Sequence, residues 1–108
     1  MKTILLDLDG VLNTYAGEYK EGHIPPIRSE AIKFLEEISK KYEILIFTTR
    51  NKRLVKQWLS NNKCIKYISK ITNKKEPAYL IVDDRCVTFD GNYNNLLLMI
   101  NNFKTWYK

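Results

Sequence analysis

Three short apolar runs constrain this chain more than any other feature: Thr3-Ile4-Leu5-Leu6, Glu43-Ile44-Leu45-Ile46-Phe47 and Tyr79-Leu80-Ile81-Val82. Each is too short for a stable helix and continuous rather than alternating, so each reads as a strand buried on both faces of a parallel sheet. Helical patterns lie between and after them. Ala31, Ile32, Leu35 and Ile38 follow a candidate cap at Ser29, and Leu54, Val55, Trp58 and Leu59 follow one at Asn51. In the tail, Leu96, Leu97, Met99, Ile100 and Phe103 make a helical stripe over 93–103. The β-loop-α-β-α-β order predicts an α/β domain with a mainly parallel sheet. A further short strand is expected near Tyr67-Ile68, and Val87-Thr88-Phe89 reads as an edge strand.

A length of 108 residues makes 1–108 a single domain. Hydrophobic and charged contents of 44% and 28% exclude a disordered or collagen-like chain. No apolar run approaches the ~18 residues of a membrane span. Asp7 arrives too early for a secretory signal, so a cytoplasmic protein with no membrane partner is expected. Cys64 and Cys86 share no CxxC spacing, and a single His cannot complete a zinc quartet with them in a monomer. Both are expected as reduced thiols. The net charge of +6 comes from scattered lysines in a Lys-, Asn- and Ile-rich composition typical of AT-rich genomes. It favours anionic substrates without naming one.

All three runs stop at polar side chains: Asp7-Leu8-Asp9-Gly10, Thr48-Thr49-Arg50 and Asp83-Asp84-Arg85. In a parallel sheet these ends share one edge, where open α/β sheets bind ligands. Four aspartates crowded there would repel and raise one another's pKa unless a cation neutralised them. Carboxylates without His or Cys suit a hard cation, Mg²⁺ first among them.

At this point the chain resembles the haloacid dehalogenase (HAD) superfamily of phosphohydrolases, in its small capless branch. Ile4-Leu5-Leu6-Asp7-Leu8-Asp9-Gly10-Val11-Leu12-Asn13 matches the first motif, an apolar strand followed by DxD. Ile44-Leu45-Ile46-Phe47-Thr48 matches the second, Lys75, eight residues before Asp83, the third, and Leu80-Ile81-Val82-Asp83-Asp84 the fourth. The resemblance spans essentially the whole chain. Receiver domains use similar groups in another order, with the acid pair on the first strand. The fold implied is a Rossmann-like, three-layer α/β domain with no cap.

The resemblance also implies roles. Asp7 is the nucleophile that forms an aspartyl-phosphate, and Asp9 is the general acid and base. Mg²⁺ is held by the Asp7 carboxylate, the Asp9 carbonyl and Asp83, with Asp84 binding through water or orienting the shell. Thr48 donates its hydroxyl to a phosphoryl oxygen, and Lys75 adds positive charge beside Asp7. Thr49 and Lys74 are the alternatives for those two roles. Gly10 suits the break after β-structure, and Arg50 and Arg85 either contact phosphate or brace the acids.

Neither 13–26 nor 61–73 is long enough to house a cap, so 13–26 is expected as a flap over an open site. Its Tyr15, Tyr19 and His23 either stack on a substrate base or sugar or pack the loop onto the body. An open site points to a bulky substrate or to a homodimer partner that covers it. A phosphorylated small molecule or nucleic-acid end is expected as substrate, with a nucleotide or nucleic-acid terminal phosphate ahead of a sugar phosphate. A non-catalytic Mg²⁺- and phosphate-binding or nucleic-acid-binding module is the remaining alternative. Trp106 and Tyr107 are expected to pack on their own domain.

Overall fold

The first apolar run sits in the middle of the sheet. In a computed structural model that describes residues 1–106, β1 (Lys2–Asp7) lies between β2 (Tyr42–Phe47) and β4 (Leu80–Val82). A fourth strand, β3 (Lys70–Thr72), pairs outside β2, giving the order β3-β2-β1-β4 with every pairing parallel. The central place of β1 explains why Ile4, Leu5 and Leu6 are all buried with no alternation. Tyr107 lies outside the described residues.

Two helices, α1 (Ala31–Ser39) and α2 (Lys52–Asn61), cover one face. Ala31, Leu35, Val55 and Leu59 join Ile4, Leu6, Ile44 and Ile46 in a single core. Burial of each large side chain there is worth about 1.5–3 kcal/mol. Asn51 caps α2 as expected, its side chain accepting from the Arg53 and Leu54 amides at 2.9 and 3.2 Å. The expected cap at Ser29 is not formed: Glu30 holds the cap position without a side-chain bond. Ile32 is exposed, because Ala31 and Leu35, four residues apart, take the inward face.

Connectivity decides the other face. The crossovers through α1 and α2 step the same way across the sheet, so right-handedness puts both helices on one side. From β3 the chain returns past β2 and β1 to reach β4, through 73–79 and without a helix. Coil therefore stands where the three-layer expectation places helices. There Leu5, Phe47 and Ile81 border a cavity of about 400 Å³ with Lys75, Val87 and Thr88.

Three other expectations need correcting. Ile65–Tyr67 is a 3₁₀ turn, and the strand begins only at Lys70. Val87-Thr88-Phe89 is exposed and forms no strand, since no neighbour pairs beyond β4. The tail helix, α3 (Tyr93–Asn102), forms, but none of its residues is buried. Cys64 is buried, Cys86 is exposed, and both are free. Among the described residues no helix is long and apolar enough to cross a membrane.

Candidate active site

The reversal of strand order falls between β1 and β4, and open α/β sheets bind ligands at the carboxyl ends beside such a switch. Leu6 pairs with Val82, so the residues that follow, Asp7 and Asp83, leave the sheet side by side. One carboxylate oxygen each from Asp7, Asp83 and Asp84 lies within 4.8 Å of the others. Burial, then the charges of Asp83, Asp84 and Asp9, push the Asp7 pKa from 3.8 up to about 7, with Arg85 pulling it back.

Asp9 faces elsewhere. Its carboxylate accepts both contacts from Arg50 Nε, at 3.1 and 2.9 Å, and one from Asn13 Nδ2 at 2.9 Å. The Arg50 side chain is only 3% exposed and also donates from Nη1 to the carbonyls of Lys20 and His23. Its guanidinium stacks over Tyr19 at 4.6 Å. Arg50 thus braces the second acid of the DxD pair and ties down the loop, occupying one side of the Tyr19 ring, a residue that stays 55% exposed. The loop 14–26 closes at a neck where Thr14 N donates to Pro26 O and Arg28 N to Leu12 O, each at 2.9 Å. Tyr15 lies half-buried within that loop, lining a small cavity of about 320 Å³ with Lys20 and the exposed His23.

Thr48, just past β2, is 5% exposed and its hydroxyl accepts from the Arg50 amide at 3.1 Å. Thr49 is exposed. Both line a cleft of about 510 Å³ with Lys52, Lys70, Thr72 and Lys74. Lys75, in contrast, borders the cavity on the other sheet face together with Asp83. The two candidate lysines therefore line different cavities, Lys74 the one with Thr48 and Lys75 the one with Asp83.

Three contributors were not assigned to the site from sequence. Asn13, fully buried, accepts from the Gly10 and Tyr15 amides and donates to Asp9, which fixes the turn that carries both acids. Trp106 donates its indole N–H to Asp84 Oδ2 at 2.9 Å. Arg28 stacks on the Trp106 ring at 4.3 Å and bonds the Gly10 carbonyl at 3.2 Å. Asn13 had a signal, an amide four residues past Asp9 on the same turn. Arg28 and Trp106 had none, because they meet the site only through tertiary structure.

No family model matches the chain, and no curated protein matches it. Among solved structures, a conserved protein of Bacteroides thetaiotaomicron is similar over 97% of this chain and 93% of its own, with a TM-score of 0.60 and 20% identity. At that identity the likeness extends to the fold, a small Rossmann-like α/β domain with an all-parallel four-stranded sheet.

Proposed function

We propose that this chain is a Mg²⁺-dependent phosphomonoester hydrolase of the HAD type, working through an aspartyl-phosphate at Asp7. The observation that carries the reading is the convergence of Asp7, Asp83 and Asp84 within 4.8 Å at the switch point. The residues fit a hard cation: all three donors are carboxylates, and Asp84 Oδ1 is buried without a hydrogen-bond partner. Asp7, the Asp9 carbonyl and Asp83 would hold Mg²⁺, with Asp84 beside them. Bound there, the metal supplies neutralising charge for the approach of an anionic substrate.

The chain's own groups do the rest. An Asp7 oxygen attacks phosphorus while the bond to the leaving oxygen breaks. Asp9 gives that oxygen a proton, then takes one from the water that attacks the phosphoryl group and releases Asp7. In the structure Arg50 and Asn13 hold the Asp9 carboxylate away from the Asp7 cluster, so Asp9 leaves those partners to carry the proton. The Thr48 hydroxyl, already accepting from the Arg50 amide, keeps its own proton to donate to a phosphoryl oxygen. Lys75, or Lys74 from the cleft beside Thr48, adds positive charge. The lysines of that cleft favour a leaving group that is itself anionic, as in a nucleotide or nucleic-acid end.

Phosphate release from p-nitrophenyl phosphate, nucleotides, sugar phosphates and end-phosphorylated oligonucleotides tests this reading. Turnover should require Mg²⁺, stop with EDTA, and fall at least a thousandfold in Asp7→Asn, about 4 kcal/mol of barrier. Folded protein that binds Mg²⁺ but releases phosphate from none of these would favour the binding module instead.

A further inference from the structure

A ten-residue helix with large apolar side chains exposed is not stable in water by itself. Yet α3 has no buried residue, with Tyr93 72%, Leu97 58%, Leu98 61% and Ile100 55% exposed. It packs as a layer against none of the other elements. Leu80 and Ile81 of β4 are each more than 40% exposed too, as is Phe89, whose ring meets Tyr93 of α3 at 5.1 Å. The whole chain exposes 7704 Å², whereas a compact monomer of 12.8 kDa exposes about 6,300 Å². The excess, about 1,400 Å², is more than the ~800 Å² that each partner buries in a standard interface.

We propose that β4 and α3 form the interface of a symmetric homodimer. This is independent of whether Asp7 is a nucleophile. Charge selects the occupant. From Val87 to Phe103 the one charged residue is Asp90, in a chain whose net charge is +6. Nucleic acid needs a basic surface and finds none here, and an acidic protein has nothing to pair with. Two copies with a net charge of +6 each can meet across this nearly uncharged face without like charges opposing. Depletion of charge with enrichment in aromatics and Met, here Phe89, Tyr93 and Met99, is also how permanent interfaces are composed. Symmetry supplies the rest. β4 ends the sheet, so its outer edge can pair with its own copy across a two-fold axis, continuing the sheet while the two α3 faces cover each other. The segment after α3 leads to Trp106 at Asp84, so the dimer also steadies one wall of the site.

Sedimentation equilibrium from micromolar to hundreds of micromolar protein tests the proposal. The wild type should have twice the 12.8 kDa protomer mass. Leu97→Glu with Leu98→Glu, both side chains exposed in the protomer, should weaken dimerisation at least a hundredfold. Phe34→Glu, on the exposed side of α1, should leave the mass doubled. Hydrogen exchange of wild-type α3 amides should slow as concentration rises, a readout that needs no variant. A wild type of single mass throughout, a double variant that still dimerises, or α3 exchange that is fast at every concentration would overturn it.

Discussion

Gly10 has a φ of +87°, and a Cβ there would run into the Asp84 carboxylate. The glycine thus serves two needs at once, the left-handed turn after Asp9 and a bare backbone for the acid to lie against. Gly10→Ala is expected to cost about 2–3 kcal/mol in a urea melt, through strain and displacement of Asp84, and to weaken Mg²⁺ binding by calorimetry. Unchanged binding would separate Asp84 from the metal. At Trp106 the ring and the N–H do different jobs. Trp106→Phe keeps a face for Arg28 and removes the donor to Asp84, so a loss of about 1 kcal/mol is expected in the same melt, against a larger one for Trp106→Ala.

Among elements, the loop 14–26 is tied to the body through Arg50, which bonds the Lys20 and His23 carbonyls. Arg50→Ala removes the counter-charge of Asp9, leaving it the Asn13 amide, and frees the Lys20 and His23 carbonyls, so a loss of about 3 kcal/mol is expected, with faster hydrogen exchange across the loop. Arg50→Lys should not rescue it, because one ammonium cannot span Asp9 and both carbonyls. The strands and the acids at their ends were legible in sequence for one physical reason. Buried parallel strands are continuous apolar runs, and parallel order sends their carboxyl ends to one edge. The same logic failed at Val87-Thr88-Phe89, where β-propensity has no neighbouring strand to satisfy. It failed differently at α3: a helical stripe announces an apolar face but not what covers it. The Arg28–Trp106–Asp84 chain was invisible because it joins residues far apart in sequence.

For the whole molecule, the acidic edge makes stability depend on pH in a direction opposite to the usual carboxylate. Asp7 is raised from 3.8 to about 7, so between those values the folded state binds more protons than the unfolded. The Asp7 contribution to the stability of the metal-free protein is then full below pH ~4 and is lost as pH rises through 7, about 3 kcal/mol once solvent screening of the partly exposed carboxyl is discounted. Thermal melts in EDTA should show that slope, Mg²⁺ should remove it, and Asp7→Asn should flatten it. A metal-free protein as stable at pH 8 as at pH 5 would mean the carboxylates do not share one crevice.

The most direct test of the central claim is to look for the phosphoryl group on the protein. Asp9→Asn keeps the nucleophile and removes the base that activates water, so the intermediate should accumulate. Mg²⁺-loaded Asp9→Asn protein would be mixed with p-nitrophenyl phosphate, quenched in acid and mapped by mass spectrometry. A phosphoryl group on the peptide carrying Asp7, absent in EDTA, is the expected result. Wild-type turnover with no phosphorylated Asp7 in either protein would contradict the account.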